Sequence, residues 1–361
     1  MSTHHKVTLK PIGEVAKFMK NLIPVNIPET YTLNPVFESI ANEEDIRSGV
    51  IAFRDFLYLF FDRLTSDGHL YAKPQKKPSS MTDYPFLHSI NNLLAEIGYR
   101  SKLSENGNSL LMTEISPHTT SKISGSNMIL CLRFLTFCGF VFNGIDLSAK
   151  TIKLSEVLPI EVFYPQNPIT LTGLKALSIS DIELRTTRRY WNDNRLLGCD
   201  YRVMKSEDID TLEILKDYLH SLPEKVKEFV LKLHQRYTDK GMTCSIRMLG
   251  DINFAYADIR KIRKALSPTD IYALSVWQIS ISMKNGYCIF VRPKKADKYA
   301  ERIEQFPLAL REKIANGYGC DRKRGEHCHG GCQGISIPLD ISILDISKNI
   351  EIWLDNETSS A

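Results

Sequence analysis

The run from Met242 to Arg292 admits few architectures. Met242–Leu249 and Ile252–Ala257 read as strands around Gly250-Asp251. Val276–Met283 alternates apolar and polar residues, and Tyr287–Arg292 follows it across Lys284-Asn285-Gly286, a hairpin signal. Neighbours of this kind pair antiparallel. Ahead of them, Asp210–Leu222 and Pro223–Thr238 form a helical pair, the second carrying Val226, Phe229, Val230 and Leu233 at the helical period. Behind them come helices around Ala296–Gln305 and Pro307–Asn316, a strand at Gly334–Pro338 and a helix at Ile341–Trp353. That order describes an α+β domain with helices packed on one face of an antiparallel sheet.

The first half reads differently. A helix is expected over Ile12–Leu22, and residues 49–64 form a second helix, apolar nearly all round and therefore buried. Its Phe53, Phe56, Phe60 and Phe61 belong to a core, and residues 65–83 form an exposed loop. A helix then starts at Pro85 and runs to Ile97, with Gly98 placed to cap it. Tyr99–Leu103 and Ser109–Thr113 flank the turn signal Asn106-Gly107. The unit half-recurs 41 residues later, where a helix over Asn127–Cys138 ends at Gly139 and a strand begins at Phe140. Helix followed by hairpin is the order of a winged helix, although these helices carry few cations for a nucleic-acid backbone. We therefore expect three regions: a helical segment and loop over 1–83, a winged-helix-like region over 84–191, and the α+β domain over 192–361.

Two stretches concentrate chemistry. Gly317–Gly334 packs three of the eight cysteines, two of the nine histidines and six of the nineteen glycines into eighteen residues. Cys320, His327, Cys328, His329 and Cys332 can supply a Cys3His set for a structural zinc ion, with either histidine as the fourth ligand. A disulfide, free thiols, or a Cys328 thiolate favoured by Arg322, Lys323 and Arg324 are the other readings of the same residues. The second stretch follows a helix over Leu171–Leu184. Arg185, Arg188, Arg189 and Trp191 form the densest basic–aromatic cluster, suited to a phosphate or nucleic-acid backbone. Its bland reading is a helix C-terminus whose cations complement the dipole, followed by a packed Trp.

Composition bounds the rest. A net charge of +4 permits anionic partners without demanding them. Met-Ser-Thr-His-His-Lys-Val lacks the apolar core of a secretory signal, and no run is long enough to cross a membrane. Cys131, Cys138, Cys199, Cys244 and Cys288 lie in mostly apolar segments and read as small buried hydrophobes, so a cytoplasmic location is expected. No P-loop, Gly-x-Gly-x-x-Gly, Gly-x-Ser-x-Gly or metalloprotease helix is present.

Tyr287-Cys-Ile-Phe-Val-Arg-Pro-Lys-Lys, Asn316-Gly-Tyr-Gly-Cys-Asp-Arg and Gly330-Gly-Cys-Gln-Gly-Ile-Ser-Ile-Pro-Leu-Asp give the whole chain a resemblance to an uncharacterised bacterial family. The C-terminal half more loosely resembles small bacterial α+β domains. The resemblance implies fold and no catalytic residues. The expected function is therefore a binding or regulatory protein for a small molecule or protein. An enzyme using a zinc-bound water or a Cys thiolate, and a nucleic-acid-binding regulator, are the alternatives.

Overall fold

The computed structural model describes residues 11–72, 85–117, 119, 123–184, 186–187, 190–192, 196–248, 251–262, 274–283, 285–293, 295–315 and 334–359. The chain divides into two compact units. Met1–Arg185 and Asn194–Ile209 make the first, Thr186–Asp193 and Asp210–Ala361 the second. The chain thus enters the second unit for one short excursion before it settles there.

The first unit holds helices α1 (Ile12–Lys20), α2 (Glu43–Asp67), α3 (Pro85–Arg100), α4 (Gly125–Phe137) and α5 (Thr170–Glu183). α2 starts at Glu43, ahead of the apolar run in which the sequence shows it. Asn42 caps it by accepting the Asp45 N–H at 2.9 Å, and Glu43, Glu44 and Asp45 fill its first turn. Phe53, Phe56, Phe60 and Phe61 are all buried, as expected, and Phe56 and Phe60 make edge contacts with Phe140 and Phe134.

α5 can be buried between α2 and α3 because its contact residues are small. A Cβ on Gly173 would lie 2.0 Å from the Gly49 carbonyl oxygen, so both helices need glycine at this crossing. Gly98 serves the same purpose on the other side, where a Cβ would meet the Ser178 hydroxyl. The expected cap at Gly98 is thereby corrected: α3 runs on to Arg100, and the missing side chain admits a neighbouring helix.

A four-stranded antiparallel sheet completes this unit, from β1 (Ser101–Leu103), β2 (Ser109–Met112), β3 (Val141–Asn143) and β4 (Ile160–Phe163) in the order β1-β2-β4-β3. The two helix-then-strand segments that echo each other in sequence end in its outer strands, β1 and β3. They are joined through the β2–β4 pair, with Leu110 opposite Val162 in the core.

The second unit is built on seven strands. Its first two are β5 (Thr186–Thr187) and β6 (Tyr190–Asn192), and helices α6 (Thr211–Tyr218) and α7 (Glu224–Asp239) follow. Next come β7 (Met242–Met248), β8 (Ile252–Asp258), α8 (Ile259–Ile262), β9 (Trp277–Ser282) and β10 (Gly286–Val291). The unit closes with α9 (Ala300–Ile303), α10 (Leu308–Ala315), β11 (Ile335–Pro338) and α11 (Ser347–Thr358). The order is β11-β10-β9-β8-β7-β6-β5, antiparallel throughout except that β6 runs parallel to β7. The α+β class expected from sequence is the class observed.

Helices α6 and α7 cover one face. Tyr218 of α6 meets Phe254, and Tyr237 of α7 meets Trp277, which stacks on Tyr256 at 3.8 Å between ring centres. α7 carries α11 beside it through ion pairs of Lys232 and Arg236 with Glu351, and of Arg236 and Lys240 with Asp355. α11 in turn fastens the chain that leaves β10. The buried Glu357 carboxylate accepts the Lys295 N–H and the Tyr299 hydroxyl, and Trp353 Nε1 donates to Tyr299 at 3.0 Å. Among the described residues, no helix is long and apolar enough to cross a membrane.

Candidate functional site

Strand alternation sorts the seven-stranded sheet into two faces. One face carries Ile246, Phe254, Trp277, Ile279, Ile281, Ile289 and Ile337, the core under α6 and α7. On the opposite face the register assembles two rows. One runs Ser245, Ala255, Gln278, Phe290, Ser336 from β7 to β11; the other runs Arg247, Asn253, Ser280, Cys288, Pro338. Thr243 and Ser282 extend this face along the strands. Four strand spacings of about 4.8 Å make each row roughly 19 Å long.

This face is polar, yet most of it is out of water. Ser245 is 7% exposed, Asn253 9%, Gln278 1% and Ser282 3%. Gln278 is held by its Nε2 donating to the Ser275 hydroxyl at 2.7 Å. The Ser245 hydroxyl, by contrast, has no hydrogen-bond partner among the described residues. A buried polar group without a partner costs stability, and Trp277 Nε1 on the opposite face is another such group. Asp251 lies in the connection between β7 and β8, directly before Ile252, and is exposed. Desolvation by the surrounding protein raises its carboxyl pKa. The Asp251 charge adds a small upward push on the Cys288 thiol.

The thiol chemistry of the described residues is quiet. Burial pushes Cys131, Cys138 and Cys244 up to about 12, and raises Cys199 as well. Burial also raises Cys288, against the pull of hydrogen bonds from Ser336 and Ser280. All five are free, buried and protonated at neutral pH, the small hydrophobes that the sequence shows.

Of the candidate metal and phosphate-binding residues read from sequence, only the Trp191 backbone is among the described ones. Cys320, His327, Cys328, His329 and Cys332 lie outside them; their stretch connects α10 to β11, an edge strand. Its last residue, Gly334, adopts φ +111° and presses on the Phe290 ring so closely that a Cβ would lie 2.2 Å from it. The chain therefore enters β11 at the polar face. Among the described residues no three His, Cys, Asp or Glu side chains converge to hold a metal ion. Arg185, Arg188 and Arg189 also lie outside the described residues. The backbone of Trp191 belongs to β6, in register with Arg247. The helix ahead of this cluster ends at Glu183, close to where the sequence places its end, and β5 and β6 follow.

Ser245, Arg247, Asn253, Gln278 and Ser280 were not singled out by sequence reasoning. Their signal is present as the polar half of the alternation in β7, β8 and β9. Alternation does not say that the polar half is buried, and burial is what draws attention to them. Comparisons of the chain with protein-family models, with curated proteins and with solved structures give no match.

Proposed function

We propose that this chain is a binding protein whose ligand lies on the polar face of the seven-stranded sheet. A structural zinc ion held by Cys320, Cys328, Cys332 and one of His327 or His329 would staple the chain ahead of β11. The observation that carries the ligand seat is the buried, partnerless Ser245 hydroxyl in a row that also holds Gln278 and Ser336. Such a group is satisfied by a bound molecule or water, and its position is otherwise a stability cost. The zinc reading is supported by ligand type and by the glycines that let several side chains turn inward.

The ligand seat is tested by mass spectrometry of small molecules released when the folded, purified chain is denatured. A stoichiometric compound is expected from the wild type and is absent from a folded Ser245→Val variant; an empty wild type from several preparations overturns the reading. Metal analysis of untagged protein tests the zinc. About one zinc per chain, lost in Cys328→Ser, is expected, and metal-free protein with every thiol reactive on denaturation removes it.

Nucleic-acid binding through Arg185, Arg188, Arg189 and Trp191 is the second reading. It is favoured by the register of the Trp191 backbone with Arg247, which adds a further cation beside that stretch. Affinity falling steeply with salt would support it.

A further inference from the structure

We propose that Trp277, Tyr256 and His234 form an internal electron–proton relay, which carries an oxidising equivalent from the indole to the phenol. It lies on the opposite face of the sheet from the ligand seat and does not depend on it. The register of β8 and β9 sets Tyr256 directly opposite Trp277. Their rings are parallel to within 2°, with 3.8 Å between centres, and both are buried. His234, on α7, brings Nδ1 to 2.8 Å from the Tyr256 hydroxyl. Trp277 Nε1 has no hydrogen-bond partner among the described residues. Phenylalanine at 256 would fill the same space without burying a hydroxyl against an imidazole.

The two partners thus differ in what can happen to their protons. Loss of one electron from Trp277 to an oxyl radical, for example the carbonate radical, leaves carbonate and an indole radical cation. That cation is acidic at Nε1, but no acceptor stands there, and the hole stays on the ring. Tyr256 can fill it. An electron passes from the phenol to the stacked indole while the phenolic proton passes to His234 Nδ1. Trp277 is restored, and the oxidising equivalent rests on a neutral tyrosyl radical beside an imidazolium. Burial lowers the His234 pKa against an opposing pull from Asp210, so the ring is neutral at neutral pH, and its Nε2–H tautomer accepts at Nδ1. The Cys244 thiol, hydrogen-bonded to the same hydroxyl, is pushed up to about 12 by burial and keeps its own proton.

Tyr237 is the competing electron donor. It meets Trp277 edge-on, at 5.3 Å and 63°, and its hydroxyl donates to Asp355 at 2.8 Å. Desolvation pushes the Asp355 carboxyl up, but hydrogen bonds from Lys240, Arg236 and Tyr237 outweigh it and hold its pKa below the ordinary value. A carboxylate held in this way is a weaker base than an imidazole, and an edge contact couples two rings less than a parallel stack. The hole therefore goes to Tyr256.

The test is flash photolysis of the full chain. Trp191→Phe and Trp353→Phe leave Trp277 as the one remaining indole of three. A pulse absorbed by indole alone ejects its electron, which a solvent scavenger removes, and the indole and tyrosyl radical absorptions are followed in time. Decay of the indole signal with matching rise of the tyrosyl signal is expected. Tyr256→Phe abolishes that rise, His234→Gln slows it by about tenfold or more, and Tyr237→Phe leaves it unchanged. Should the two-tryptophan replacement fail to fold, the same traces are compared between wild type and Tyr256→Phe. Indole decay without a tyrosyl signal, a signal that survives Tyr256→Phe or disappears in Tyr237→Phe, or an undiminished rate in His234→Gln overturns the relay.

Discussion

Trp277 and Gln278 are neighbours in β9, and both are almost wholly out of water, 0% and 1% exposed. One points into a core of isoleucines and aromatics under α6 and α7, the other into a field of serines, amides and an arginine. Burial of Trp277 stabilises the fold directly, because the ring removes a large apolar area from water and stacks on Tyr256. That face even tolerates an orphan donor, Trp277 Nε1, under so much apolar contact. Burial of the polar face gains far less per side chain and leaves the Ser245 hydroxyl unpaired. The difference teaches that low exposure has two meanings within one sheet: on the first face it marks stability, on the second it marks something retained at a cost.

Mutation of the two faces should separate these meanings. Trp277→Ala is expected to cost about 3–5 kcal/mol of unfolding free energy in a denaturant titration, the usual range for removing a large buried aromatic. A loss below about 1 kcal/mol would break the assignment of this face as the core.

A smaller effect comes from His234, on α7 over the same face. Its Nδ1 lies 2.8 Å from the Tyr256 hydroxyl, and burial lowers its pKa despite an opposing pull from Asp210. The unfolded chain therefore binds this proton more readily than the folded one. Stability is full above the ordinary histidine pKa near 6.5 and declines as pH falls below it toward the folded value. Denaturant midpoints of wild type and His234→Gln between about pH 7 and pH 5 check this: the wild type should lose more. Equal slopes would show that His234 titrates alike in both states.

The smallest change is expected on the polar face. Ser245→Ala removes an unpaired buried hydroxyl and should alter stability by less than about 1 kcal/mol. A larger loss would mean that the hydroxyl has a partner, and the contrast between the faces would narrow.

Much of this molecule is legible in its residues. The apolar run containing Phe53 and Phe60 shows a buried helix on its own, because an exposed helix is not apolar all round. Turn signals at Asn106-Gly107 and Asn285-Gly286 place hairpins correctly, since the conformations that close them are available to few residues. Gly98 is read wrongly for the complementary reason. A glycine near a helix end and a glycine at a helix crossing look alike in sequence, and only the position of Ser178 distinguishes them.

The sequence by itself determined the strands β7 to β10, the helices before and after them, and the residues that alternate between the two faces of the sheet. These are consequences of periodicity and turn chemistry, which act over a few residues. Tertiary structure alone decided that Tyr190–Asn192 joins β7 in parallel, and that Gly173 and Gly49 bring two helices into contact. It alone decided that the polar side of the alternation is buried. Each of these depends on which distant segment lies opposite. A three-residue strand has too short a pattern to name its partner, and a polar row carries no mark of whether water or protein covers it.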